Sequence, residues 1–151
     1  MTSTFLSFQL DGRDLNYVTE FKYLGHLITN DECDDKDILR EVRAMFTRTN
    51  ILTRRFSLCS LPVKIVLFRT FCICFYGMEL WRCFTVCATN RLRSSYIRCM
   101  KLFFKYPKYC SVTSMLLELG LPSFDILVHN SRVRFEKQLQ TCQNSIIAQL
   151  L

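Results

Sequence analysis

The chain has 151 residues, half of them hydrophobic, with only four Gly and three Pro, which fits one domain or a small domain with an appendage and excludes a disordered or linker-dominated chain. A folded chain of this length buries roughly 68–70% of its unfolded surface, so it holds a core without staples. The net charge of +7 is split, with −5 over residues 1–37 and +12 over residues 38–151, and a basic body behind an acidic lead suggests a polyanion partner.

Leu6, Phe8 and Leu10 alternate with polar residues, then Asp11-Gly12 precedes a second short run, Arg13 to Val18. An Asp-Gly pair between alternating runs predicts a hairpin, because both turn residues must take positive φ. A third run, Phe21 to Thr29, reads as one more strand interrupted at Gly25, where a bulge or a close backbone approach is expected. The acidic segment Asn30 to Asp37 is read as a helix start, with Asp34 or Asp35 as the cap and carboxylates at the positive end of the dipole, in preference to a metal site.

That helix is predicted from about Asp35 to Phe56. Ile38, Val42, Met45, Phe46, Thr49, Leu52 and Phe56 form its apolar stripe; Arg40, Arg43, Thr47 and Arg54 fall opposite, flanked by Arg48 and Arg55. With Glu41 the only acid after Asp37, these five arginines are either a polyanion contact or a solvated face. Ser60 and Pro62 restart the chain into a helix over Val63 to Trp81, apolar around nearly its whole circumference and expected to be central and covered on all sides. It is no membrane span: it holds Lys64, Arg69 and Glu79, and its longest uncharged run, Thr70 to Met78, is nine residues against about twenty needed.

After a connection at 82–87, a helix from about Thr89 to Tyr106 is expected to bury Leu92, Tyr96, Cys99 and Phe103, and Pro107 stops it. Arg91, Arg98, Lys101 and Lys105 gather on another of its faces. Ser111 caps a short helix, Val112 to Leu119, ended by Gly120 and Pro122. A last helix starts near Ser123-Phe124-Asp125 and passes Lys137, with the stretch after Cys142 separate or frayed. The predicted class is mainly α: a small β lead over 1–30, with a hairpin and a third strand, then a bundle of about five helices over 31–151.

Nine cysteines form no framework, and Met1-Thr-Ser-Thr has neither the basic region nor the cleavage pattern of a secretory signal. Reduced, buried thiols acting as small hydrophobes in an intracellular, reducing compartment are expected. Cys72-x-Cys74 and Cys83-x3-Cys87 lack the two-residue spacing of zinc pairs, and His26 and His129 lie far from both, so neither metal nor cofactor is expected.

Several stretches, in this order, carry a resemblance. They are Phe21-Lys-Tyr-Leu-Gly-His26, Asp34-Asp-Lys-Asp-Ile38, Arg54-Arg-Phe-Ser-Leu-Cys-Ser60, Val63-Lys64 with Leu67-Phe68, Tyr76-Gly77 with Leu80-Trp81, Arg91-Leu-Arg93 with Tyr96, and Leu119-Gly-Leu-Pro-Ser-Phe124. Over roughly residues 5–150 the chain resembles the region after the palm in reverse transcriptases of LINE-type (non-LTR) retrotransposons. The resemblance implies a primer grip at Phe21, Lys22, Tyr23, Leu24 and Gly25, followed by helices that form a thumb over template–primer duplex. Gly25 would let backbone approach backbone and Lys22 could meet a phosphate, while at least two of Phe21, Tyr23 and Leu24 are expected in the core.

Such polymerases hold two metal ions, magnesium in the full-length enzyme, on palm carboxylates that precede the grip. The only Asp-Asp here, Asp34-Asp35, follows the grip and matches the family's helix-start motif. No polymerisation by this chain alone is therefore expected, nor is any other catalytic constellation found. The resemblance implies a reverse-transcriptase fragment whose partner is duplex or RNA–DNA hybrid, bound without sequence preference, and an uncovered palm-facing surface prone to self-association. The alternatives are a relic without function and a repurposed protein-interaction module.

Overall fold

Two short hairpins precede five helices in the computed structural model, which describes residues 8–144. Leu6 and the stretch 145–151 lie outside the described residues. Strands β1 (Gln9–Leu10) and β2 (Arg13–Asp14) turn at Asp11-Gly12, with φ of 51° and 75°, the positive pair a tight two-residue hairpin needs.

The next run is not one interrupted strand. It is a second hairpin of β3 (Glu20–Tyr23) and β4 (His26–Thr29), paired from Glu20↔Thr29 to Tyr23↔His26. Leu24 and Gly25 take φ of 47° and 89° and reverse the chain. A leucine in a left-handed position gives no turn signal, so only Gly25 marks the site, and a lone glycine in a strand equally suggests a bulge. The predicted core placement also fails: Phe21, Tyr23 and Leu24 are exposed by 58%, 56% and 71%.

Helix α1 (Asp35–Arg55) buries Ile38, Val42, Met45, Thr49 and Leu52, as its periodicity predicts, with Phe46 and Phe56 half-buried beside them. It also buries Asp37 and Glu41, two carboxylates the stripe did not include. Asp34 stands at its N-cap position, yet its side chain bonds no amide of its own helix. Instead it accepts from the backbone of Arg82 (2.7 Å) and Cys83 (2.9 Å), while Asp35 accepts from the Thr85 backbone and hydroxyl, each at 2.8 Å. The acidic start of α1 thus holds the connection at residues 82–85 in place.

The predicted helix over Val63 to Trp81 is broken in two. Helix α2 (Leu61–Phe71) ends at Cys72, and after an irregular turn Gly77, at φ 73°, opens a single 3-10 turn, Met78–Leu80. Nor is α2 covered on all sides: Phe68 is its one buried residue, and Leu61, Val63, Val66 and Phe71 face water. Composition shows how much apolar surface a helix carries, not how much its neighbours cover.

Helix α3 (Val86–Phe104) buries Leu92, Tyr96, Cys99 and Phe103 as expected, together with Ala88, Ser95 and Met100. It begins earlier than predicted, because the Thr85 hydroxyl caps Ala88 N, and it stops before Pro107, where Lys105 turns left-handed at φ 61°. Helix α4 (Val112–Leu119) is capped by Ser111 and closed by Gly120, and α5 (Phe124–Thr141) is capped by Ser123, both in line with the sequence reading.

Helices α1 and α3 run parallel. Asp35 meets Thr85 at one end, Phe46 lies under Arg98 midway, and Thr49 lies beside Cys99 further along. Phe68 fills the space beside them, its ring 6.0 Å from Phe103, 5.5 Å from Phe104 and 6.2 Å from Tyr96. The Tyr96 hydroxyl donates to Pro122 O at 2.8 Å, tying the start of α5 to this core. Of the nine cysteines only Cys72 and Cys99 are buried, so the expectation of buried thiols holds for these two alone; Cys74, Cys83, Cys87 and Cys142 are exposed. Among the described residues no single helix is long and apolar enough to cross a membrane.

Two glycines separate backbone strain from steric clash. Gly77 and Gly120 both have positive φ, but a Cβ on Gly77 would overlap Cε1 and Nε2 of His26, whereas one on Gly120 meets only Arg69 Nη2 at 3.8 Å. Gly120→Ala is expected to lose about 1–2 kcal/mol, the left-handed penalty alone. Gly77→Ala should lose clearly more in a thermal melt, and equal losses would show that His26 yields freely.

Candidate nucleic-acid interface

The grip-like segment sits at the N-terminal end of α1. Phe21, Lys22 and Tyr23 lie in β3, and Leu24 and Gly25 form the turn. All but Gly25 are exposed, and Gly25 is half-buried with Tyr76 beside it. This hairpin is anchored through one buried carboxylate. Asp37, 2% exposed, accepts from Leu27 N at 2.9 Å, His26 Nδ1 at 3.0 Å, Arg40 Nε at 2.6 Å and Trp81 Nε1 at 2.8 Å. Burial alone pushes this carboxyl up, but the Arg40, His26, Trp81 and Leu27 donors outweigh it and hold it down at about 2.

Tyr76 stacks on the His26 ring with centroids 5.0 Å apart. The segments Phe21–His26, Asp34–Ile38 and Tyr76–Trp81, distant in sequence, therefore meet at a single point. Around it opens a cleft of about 420 Å³, lined by Tyr23, Leu24, Tyr76, Leu80 and the acids Glu32 and Glu79.

The candidate cations divide into two groups. Arg40 bonds Asp37 and Glu41, and Arg48 bonds Glu41, which is 1% exposed, so both guanidiniums are committed to buried carboxylates and leave the predicted polyanion face. Lys101 also turns inward, donating to Lys108 O and Cys110 O, each at 2.7 Å. Arg43, Arg54, Arg55, Arg91 and Lys105 are exposed and in no ion pair among the described residues. Arg98 is exposed as well, its guanidinium 5.9 Å above the Phe46 ring.

Because α1 and α3 are parallel, Arg54 and Arg55 reach the same end of the pair as Lys101 and Lys105, while Arg98 lies over Phe46 nearer the middle. The structure brings the C-terminal part of both predicted rows together there and leaves Arg43 and Arg91 nearer the other end. Two helix C-termini carry partial negative charge, which the clustered cations offset.

Sequence reasoning missed Lys108, Tyr106 and Tyr109. Tyr106 and Lys108 line a groove of about 730 Å³ with Arg98, Lys101 and Lys105, and Tyr109, beside Lys108, is 90% exposed. The interleaved Lys105-Tyr-Pro-Lys-Tyr109 was the available signal, masked by Pro107 as a helix stop. No group of three or more His, Cys, Asp and Glu able to hold a metal ion occurs among the described residues. No protein-family model matches the chain, and no curated protein or solved structure matches it either.

The depressed carboxyl makes stability depend on acid. Asp37 in an unfolded chain titrates near its ordinary value of 3.8, and in the fold at about 2, so its contribution is complete above pH ~4 and fades as pH falls toward 2. That contribution is about 2–3 kcal/mol. Asp37→Asn, which keeps the shape but removes the buried anion that four donors surround, is expected to lose about 3–5 kcal/mol. At about 2–4 °C per kcal/mol for a chain of this size, the melt should drop by roughly 6–20 °C. The parent should lose stability from pH 4 to 2 more steeply than the variant. Parallel acid limbs would mean that Asp37 is not the group titrating.

Proposed function

We propose that this chain is the primer-grip and thumb region of a LINE-type reverse transcriptase, and that it binds duplex nucleic acid or RNA–DNA hybrid through phosphate contacts. The observation that carries the reading is that Arg54, Arg55 and Lys105, exposed and in no ion pair among the described residues, lie at one end of the parallel α1–α3 pair, with exposed Arg98 nearer its middle. Rows of cations on rigid helices neutralise successive phosphates without reading bases, so binding is non-specific. The convergence of three of the resembling segments on Asp37 also supports it, since one packing site gives these separate stretches a shared structural role.

A second role is supported by the lead. Phe21, Tyr23 and Ile28 share one face of the second hairpin, and Phe8, Leu10, Tyr17 and Val18 of the same lead are exposed as well. Exposed apolar surface gathered in this way marks a protein interface, the palm of the same polymerase or another copy of the chain.

With primer–template, nucleotides and magnesium or manganese, the purified chain is expected to extend nothing. For binding, Arg43, Arg54 and Arg55 are the residues to replace together by Gln, because Arg40 and Arg48 hold buried carboxylates and their loss would perturb the fold. Titrating a labelled RNA–DNA hybrid at several salt concentrations should give a parent dissociation constant of about 10⁻⁴ to 10⁻⁶ M at physiological salt. The triple variant should bind more weakly and with a log–log salt slope flatter by about 0.9 for each phosphate it no longer neutralises. Identical slopes for a folded variant would make this stripe a solvated face.

A further inference from the structure

We infer that the groove at the C-terminal end of α3 holds an unpaired stretch of nucleic acid, its phosphates beside Arg98, Lys105 and Lys108 and one base stacked on Tyr109. The inference rests on the nucleic-acid reading above and adds a second, single-stranded mode to it.

The groove is built by the way α3 ends. Lys105 leaves the helix left-handed at φ 61°, Pro107 extends the chain, and the Lys101 ammonium donates to the carbonyls of Lys108 and Cys110, folding the segment back along its own helix. On the other side of the turn Glu118 of α4 lies beside the Tyr106 hydroxyl. What results is an open trough of about 730 Å³ lined by Ile97, Leu102, Arg98, Lys105 and Lys108, with no acid in its lining. Lys101 adds a fourth positive charge while holding the loop.

Tyr109 makes the trough more than an anion site. Its ring is 90% exposed, and the Lys108 ammonium lies 5.7 Å from its centroid. A large ring kept in water beside cations gains nothing from a duplex, whose bases already stack on one another. It gains from a base with a free face, and a positive groove with exposed aromatics along it is the general form of single-strand binding. Lys105-Tyr-Pro-Lys-Tyr109 interleaves cations and rings in sequence, and Tyr109 is the ring left exposed.

The test compares two probes, an unstructured oligouridine and a blunt RNA–DNA hybrid, on the full chain and on Tyr109→Ala. Tyr109 is nearly fully exposed, so its removal should leave the thermal melt unchanged. Stacking on one aromatic ring changes single-strand affinity by about 5- to 150-fold when the ring is removed. Tyr109→Ala should lose oligouridine binding in that range and keep hybrid binding, while Tyr109→Phe, which retains the ring, should bind both as the parent does. Oligoglutamate of matched charge should compete poorly.

Equal oligouridine affinity in parent and Tyr109→Ala, equal losses for both probes, or displacement by oligoglutamate as effective as by oligouridine would each overturn the inference. A parent that binds hybrid but no oligouridine sinks this inference and leaves the phosphate-binding proposal standing. A parent that binds neither sinks both.

Discussion

The fold hangs on a carboxylate in the wrong place for an ordinary helix. Asp37 lies in the first turn of α1, where an acid normally faces water and eases the dipole. Here it is turned inward and receives donors from four sources: the β4 backbone, His26, Arg40 and Trp81. A buried carboxylate without partners would be strongly destabilising, and one with four donors is held ionised and oriented. The donors come from three separate parts of the chain, so a single side chain sets the hairpin, α1 and the end of the 3-10 turn against one another. A two-stranded hairpin is marginal by itself in water, which makes this anchor the reason the second hairpin has a defined place.

The same logic sorts the arginines of α1. Asp37 and Glu41 lie one turn apart on the buried side, and each draws a guanidinium toward it, Arg40 to both and Arg48 to Glu41. Arg40 Nη2 and Arg48 Nε remain buried without a protein partner, the residue of satisfying two carboxylates with flat, five-donor groups. The outer face keeps Arg43, Arg54 and Arg55. Net charge counts all five arginines alike, whereas their availability to a polyanion depends on which carboxylates the fold has buried.

Local chemistry decides some of these elements and leaves others to the tertiary fold. The apolar stripe of α1, the buried face of α3 and the capped ends of α4 and α5 were legible in the sequence because nearby residues alone settle them: 3.6-residue periodicity, Ser111 and Ser123 as caps, Gly120 as terminator. The break after Phe71 was not legible. Residues 61–81 are apolar enough to continue a helix, and only the fit of Gly77 under His26 shows why the chain turns there. The Leu24-Gly25 turn was hidden by a leucine in a left-handed conformation. For the candidate interface, the cations were visible as a pattern, but the parallel course of α1 and α3, which brings two rows to one end, is a tertiary fact. The inward turn of Lys101 is another, since nothing in a lysine's position on a helical wheel says that it will close a loop.

The placement of the two proposed surfaces follows from that parallel course. The exposed apolar hairpin is fixed at the N-terminal end of α1 through Asp37 and the Lys36–Glu20 ion pair, at 3.1 Å. The exposed cations crowd the C-terminal end, with Arg54, Arg55 and Lys105 in the last turns or just beyond. At 1.5 Å per residue a helix as long as α1 spans roughly 30 Å, so the two ends are separated by more than three Debye lengths at physiological salt. The acidic lead therefore does not neutralise the cationic end. The two proposed surfaces are then electrostatically independent, coupled only to the extent that α1 is rigid, and the helix that carries both is the one whose first turn Asp37 locks.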